Sequence, residues 1–280
     1  MKKLKLLFLT IGLFISFTFT SCNLISNNDS DTIQNSDENV VEIVSNSLNT
    51  DVDFFTLTNT IETETILANV RIEASFYAST RGRYNLLGSS IGSGVIIKSE
   101  VVRNKLYYYA LTNNHVIYNN YSYANYIVED VYENEYQGTL IYSLNTYDLA
   151  LIRFEAQEEL YVIDLADSDI ISGYVASIGE ANAKSNTLTY GYVSGYEAFT
   201  PNEDEINLSN VTFNVITHTS YIEPGSSGGA LLNMDLKLVG INFASKIDED
   251  GNWEYSYAIP VSKINEFLDI CYEKTGFSQI

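Results

Sequence analysis

Beyond about residue 60 the chain breaks into short runs dominated by β-branched and aromatic residues, with turn residues between them. The runs are ANVRIEASFYA, SGVIIKS, LYYYALTNN, YIVEDVY, YQGTLIYSL, DLALIRF, YVASIGE, TLTYGYVSGYEA, VTFNVIT, GALLNMDLKLVGINFASK and WEYSYAIP. Runs at this spacing, with no helical periodicity between them, predict an all-β domain built as an antiparallel sandwich or barrel. One helix is predicted at the C-terminal end, VSKINEFLDICYEKTG, with Ile264, Phe267, Leu268 and Cys271 on one face, Ser262 as N-cap and Gly276 as stop. Cys271 then reads as a small core residue rather than a reactive thiol.

The first 22 residues have a different pattern: lysines at positions 2, 3 and 5, an apolar run from Leu6 to Phe19, then Thr20 and Ser21 before Cys22. That is the layout of a secretory signal, and the run is short for a bilayer span. Cys22 stands where a lipidated cysteine would follow cleavage, and the segment resembles a bacterial lipoprotein signal. An ordinary secretory peptide cut nearby is the alternative. From Leu6 to Val70 there is no Lys or Arg, and residues 23–62 are rich in Asn, Ser, Thr and Asp. They predict an acidic, polar tether, because few side chains there can offset the entropy of ordering. Within it VVEIVSNSL, Val40 to Leu48, has the pattern of a short helix or strand. The folded domain is expected over 63–280.

Composition adds limits. With 45% apolar residues among 280, the chain can bury a sizeable core. The formal charge is −21, and removing the three lysines of the signal leaves 12 basic against 36 acidic residues, a charge of −24. No basic patch is present, so nucleic acid is not an expected partner. Besides Cys22 only Cys271 exists, so a lipidated chain has no internal disulfide and rests on its core. No metal or organic cofactor is called for.

Candidate chemistry centres on IEPGSSGGALLN, Ile222 to Asn233, where two serines sit between glycines. Residues 225–229 also fit G-x-S-x-G, the nucleophile elbow of α/β-hydrolases, whose triad runs Ser, acid, His. No histidine follows Ser227, and the strands do not alternate with helices, so that reading fails. Only two histidines exist, His115 in ALTNNHVIY and His218. With Asp148 in NTYDLALIRF, the order His115, Asp148, Ser227 is that of the chymotrypsin arrangement. The separations are 33 and 79 residues, enough for the acid to return beside the base and for a second barrel to carry the serine.

From about Ile66 to Phe267 the chain resembles a trypsin-like serine protease, most closely the catalytic domain of the HtrA/Deg proteases. The stretches that carry the resemblance are GSGVII, LTNNHVI, DLALIRF, LADSDIISGYVASIGE, TLTYGYVSG, EPGSSGGALLN, LVGINFA and YAIPV, in that order. The resemblance implies two six-stranded β-barrels with a cleft between them, and endopeptidase activity on proteins or peptides. His115 and Asp148 then come from the first barrel and Ser227 from the second. The N–H groups of Gly225 and Ser227 form the oxyanion hole, and Tyr221, Ile222, Asn242, Phe243 and Ala244 wall the substrate pocket.

There are departures. Ser226 stands where the family usually has Asn, and His218 and Thr219 replace a Thr-Asp pair. His218 either lines the cleft or closes a strand end, and the structural reading is preferred. After IGE, Ala181, Asn182 and Ala183 replace an Asn-Pro turn. Tyr221 stands at the base of the primary pocket where a trypsin has Asp, so an apolar residue, not Lys or Arg, is expected before the scissile bond. Only 53 residues follow Ser227, too few for a PDZ domain. The leading expectation is a serine endopeptidase in cell-envelope protein quality control or processing, lipid-anchored on the outer face of the plasma membrane, with a secreted or periplasmic location as the alternative. The competing expectation is a catalytically silent protease-like lipoprotein that binds peptides through the same cleft.

Overall fold

The computed structural model describes residues 54–118, 123–181, 184–200 and 209–277; Cys22, the signal, and the Val40–Leu48 run lie outside them. Among the described residues, twelve strands form two closed six-stranded barrels. The first contains β1 (Asn69–Thr80), β2 (Arg83–Val102), β3 (Lys105–Thr112), β4 (Tyr123–Glu129), β5 (Glu135–Leu144) and β6 (Leu149–Glu155). The second contains β7 (Tyr174–Ala181), β8 (Lys184–Ala198), β9 (Asn214–His218), β10 (Ala230–Leu232), β11 (Leu238–Ile247) and β12 (Trp253–Pro260).

The strand order is β1-β2-β3-β6-β5-β4 in the first barrel and β7-β8-β9-β12-β11-β10 in the second. The two halves therefore share one topology, although no repeat is visible in their letters. Closure comes from β1 pairing with β4 and from β7 pairing with β10, both antiparallel. A barrel has no edge strands left to pair with other chains.

Alternation explains the filling. In β1 the residues Val70, Ile72 and Ala74 are buried and their neighbours Arg71, Glu73 and Ser75 are less so, the period of two that a one-sided strand requires. β2 begins as an exposed arm and becomes buried only from Gly92 onward. Its connection to β1 is a two-residue turn at Arg81 and Gly82, both at positive φ, with Thr80 facing Arg83. That turn matches the twist of the strands it joins.

The connection between the barrels is stitched to both. Ile163 donates its N–H to Ile96 of the first barrel, while Ala166 donates to Leu238 of the second and Leu238 donates back to Asp164.

Two helical elements differ from expectation. α1 (Phe54–Thr63) lies inside the span read as tether, with Leu57 and Ile61 buried and Phe54 edge-on to Tyr174 and Tyr190. The described fold thus begins ahead of the boundary at 63 that composition suggested. The C-terminal helix, named α3 below, spans Val261–Thr275 and buries Ile264, Phe267, Leu268 and Cys271 as its pattern predicts. Gly276 ends it at φ +74, donating to Tyr272. Ser262 is not its N-cap: Pro260 holds that position without a side chain bond. The cap comes from Asp169, whose carboxylate accepts the Ser262 N–H at 2.9 Å and its hydroxyl at 2.7 Å.

Candidate active site

His115 sits on α2 (Asn114–Ile117), a single turn that follows β3 directly. Asp148 ends the β5–β6 turn, where its N–H donates to Asn145 and its φ is +51. The two meet twice. The Asp148 Oδ2 lies 2.7 Å from His115 Nδ1, and Oδ1 accepts the His115 backbone N–H at 2.9 Å. The carboxylate is fully buried while the imidazole keeps 27% of its surface exposed, so only the histidine reaches the solvent side.

Asp148 is itself held from behind. Its carbonyl accepts the buried Asn113 amide at 2.9 Å and the Asn114 N–H at 3.1 Å. Left-handed backbone costs a non-glycine residue on the order of 1 kcal/mol, less for Asp, and these two bonds fix it.

The Ser226–Ser227 doublet resolves into unlike partners. Ser226 is buried, and its Oγ accepts a long bond from the Glu223 N–H at 3.4 Å. Ser227 is part-exposed and lines a pocket, and its Oγ donates a long bond to the Phe243 carbonyl at 3.4 Å. Gly92 separates the Ser227 backbone from the helix of His115. A Cβ on Gly92 would fall 2.6 Å from the Val116 side chain and 2.9 Å from the Ser227 carbonyl, so the close approach requires glycine.

Around Ser227 the amides alternate. Ser226 donates to the Glu223 carbonyl and Gly228 to the Asn242 carbonyl, both at 2.9 Å. Among the described residues no protein acceptor takes the N–H of Gly225 or of Ser227. Gly225 has φ +99 and Gly228 has φ +89, backbone that side chains disfavour.

The pocket beside Ser227 has a volume of about 300 Å³ and is lined largely by carbon. Tyr221, Ile222 and Ala244 line it as expected, but Asn242 and Phe243 do not. Asn242 is fully buried with its amide on the Ala230 carbonyl, and Phe243 turns its ring against Phe199 and Tyr257. The cause is a bulge between Asn242 and Ala244 in the β11–β12 ladder, which re-aims the side chains there. Pattern reading missed Glu223, Pro224, Ser245, Ile247 and Trp253, which complete the lining. Ile247 and Trp253 face one another across the turn of the β11–β12 hairpin, so an apolar pair flanking DEDGN was the available signal. Trp253 also stands edge-on to Tyr221, whose hydroxyl donates to Glu223 at 3.1 Å.

His218 does not line the cleft. It ends β9, fully buried, and neither ring nitrogen makes a well-formed hydrogen bond. Burial pushes its pKa down to about 3, an effect that Asn242 and the Ser220 backbone offset only in part.

Comparison with known proteins agrees with this geometry. The family model described as "Trypsin-like peptidase domain" matches residues 92–241. The chain is 35% identical over 186 residues to the serine protease Do-like HtrA of Bacillus subtilis, covering 65% of this chain and 39% of that protein. It is 31% identical over 178 residues to the periplasmic serine endoprotease DegP of Escherichia coli, covering 62% of this chain and 34% of that one. A probable periplasmic DegP-like endoprotease of Buchnera aphidicola is 31% identical over 183 residues, covering 64% and 35%. The chain thus spans little more than a third of the length of the curated relatives it matches.

Proposed function

Since the chain belongs to the trypsin-like peptidase family, we propose that it is a serine endopeptidase of the HtrA type, with His115, Asp148 and Ser227 as its triad. The observation that carries this is the doubly bonded Asp148–His115 pair in a fold that also exposes Ser227 at the mouth of an apolar pocket.

A serine hydroxyl is a poor nucleophile until a base takes its proton. In this reading His115 takes it through Nε2 as Ser227 attacks the peptide carbonyl, and returns it to the leaving amine. Asp148 keeps the Nδ1 proton in place and stabilises the imidazolium. The unpaired N–H groups of Gly225 and Ser227 stabilise the oxyanion, an interaction worth roughly 3 kcal/mol per donor. Water then hydrolyses the acyl-enzyme, with His115 again as base.

The pocket sets the residue before the scissile bond. Its walls of Ile222, Ala244, Ile247 and Trp253 favour an apolar side chain, and Tyr221 and Glu223 close on each other through their hydrogen bond. The N-terminal pattern supports export with a lipid at Cys22, and the names of the relatives support a role in the cell envelope on protein substrates.

Hydrolysis of a peptide library by the purified protein tests this. Cleavage is expected after apolar residues, with kcat lowered about 10⁴-fold in Asp148→Asn and at least as much in His115→Ala. Cleavage after basic or acidic residues contradicts the pocket assignment, and undiminished turnover in His115→Ala contradicts the triad.

A further inference from the structure

Ser93 occupies the seam between the barrels. It lies on β2 opposite Arg71, is fully buried, and each of its polar groups is used. Its N–H donates to the Ser227 carbonyl at 2.7 Å, and its hydroxyl donates to the Gly225 carbonyl at 2.9 Å. The same hydroxyl oxygen accepts the N–H of Glu180, on β7, at 2.8 Å. Its own carbonyl accepts the Thr112 hydroxyl at 2.7 Å. One residue of the first barrel thus holds β7 of the second barrel and two carbonyls of the nucleophile loop.

Those two carbonyls belong to the peptide units on either side of the Ser226–Ser227 unit. A peptide unit is planar, so fixing both its C=O and its N–H fixes its orientation. The Gly225–Ser226 unit is tied at its carbonyl by Ser93 and at its N–H by the Glu223 carbonyl. The Ser227–Gly228 unit is tied at its carbonyl by Ser93 and at its N–H by the Asn242 carbonyl. Between these units lies the Ser226–Ser227 unit, whose carbonyl accepts the Gly229 N–H at 3.0 Å, while the Gly225 N–H belongs to the preceding Pro224–Gly225 unit, joined to the anchored one at the Gly225 Cα; among the described residues neither the Gly225 nor the Ser227 N–H has a protein acceptor. Gly225 has no side chain to hold it and sits at φ +99, and among the described residues its carbonyl bond to Ser93 is its only hydrogen bond to the rest of the fold.

We propose that Ser93 is a positioning residue for the oxyanion hole: its hydroxyl holds the Gly225 carbonyl and so pins the Gly225 Cα, limiting rotation of the adjoining Pro224–Gly225 unit so that the Gly225 N–H faces the developing oxyanion. This rests on the proposed endopeptidase reading and deepens it. Alanine at 93 would leave the Gly225 carbonyl and the Glu180 N–H unpaired in a buried seam, and the soft Gly225 backbone would then turn to find other partners. The loss falls on the transition state, because the oxyanion exists only there.

The test uses the full chain and two variants. Ser93→Ala removes the hydroxyl, and Ser93→Cys keeps a side chain of similar shape with a poor donor. In Ser93→Ala, kcat is expected to fall about ten- to hundredfold with KM changed less than threefold. Affinity for a peptide boronic acid, which places an oxygen in the hole, is expected to fall by a similar factor. Binding of an uncleaved peptide in the Ser227→Ala background is expected to stay within twofold, a split that a merely structural role would not give. Ser93→Cys is expected to lie between wild type and alanine. Specific ¹⁵N-glycine labelling reads the loop without turnover: the Gly225 signal is expected to shift or broaden in Ser93→Ala while Gly251 and Gly276 stay fixed. Unchanged kcat in a folded variant, or an unmoved Gly225 signal, overturns the role of Ser93. Absent turnover in wild type together with a moved Gly225 signal overturns the endopeptidase reading and leaves the anchoring of Gly225 supported.

Discussion

At Asp148 the backbone takes φ +51 and the carboxylate takes two bonds from His115, so one residue both turns the chain and orients the imidazole. Strained backbone of this kind persists where neighbours over-determine it, and here Asn113 is the neighbour. Asn113→Ala removes the amide bond to the Asp148 carbonyl and leaves the one from Asn114. It is expected to lower kcat about tenfold with little change in KM, and to cost about 1 to 2 kcal/mol of stability. Steady-state kinetics beside a melting curve check this. Unaltered kcat with lowered stability would make Asn113 a structural residue only. The candidates His115, Asp148 and Ser227 were picked out by their order along a chain that has two histidines, neither of them after Ser227. The conformation at Asp148 and the use of Ser93 were not, since a serine between two glycines in a strand reads as a small filler. The fate of His218 was legible only as a preference, and burial of both ring nitrogens decided it.

Among the elements, eleven predicted strand runs correspond to twelve strands. The discrepancy is GALLNMDLKLVGINFASK, which splits into β10 and β11. Asn233 makes the break, its Oδ1 accepting the N–H groups of Asp235 and Lys237 while Leu236 takes φ +60. The outer half of β2 was missed because Gly88, Ser89 and Ser90 weaken its β-propensity, and pairing with β1 overrides that. α1 was missed for the complementary reason: its threonines are weak helix formers, yet Leu57 and Ile61 find a core to cover them. At α3 the sequence named the wrong cap, because a remote carboxylate leaves no local signature. Asp169→Ala is expected to cost about 1 kcal/mol, as loss of a helix cap does, and to lower the melting temperature by about 2 to 4 °C. Ser262→Ala keeps the backbone bond and is expected to cost less. Equal losses in the two variants would argue against Asp169 as the cap.

Over the whole molecule, patterning alone reached only a sandwich or barrel, and the resemblance supplied two barrels; strand order and seam came from the structure. Barrel closure brings together residues from β2, β3, β7 and the nucleophile loop, contacts between positions too far apart in sequence for local rules to register. Burial of His218 is expected to make the fold sensitive to acid. His218 is neutral inside, with a pKa pushed from its ordinary 6.5 to about 3. Above pH 6.5 neither state takes up the proton. As pH falls from 6.5 toward 3 the unfolded chain binds it and the folded chain does not, so stability drains by on the order of a few kcal/mol across that window. His218→Leu, compared by denaturant titration at pH 7 and pH 4, is expected to show a smaller drop than wild type. An equal drop would place the acid sensitivity elsewhere.

In the proposed mechanism Ser227, rather than its buried neighbour Ser226, is the nucleophile, activated by His115. Labelling with a fluorophosphonate probe separates the two serines when wild type is compared with Ser227→Ala, Ser226→Ala and His115→Ala. Wild type and Ser226→Ala are expected to label, Ser227→Ala not at all, and His115→Ala strongly slowed. Labelling that persists in Ser227→Ala would rule out Ser227 as the nucleophile, and its absence from the folded wild type would rule out an active serine.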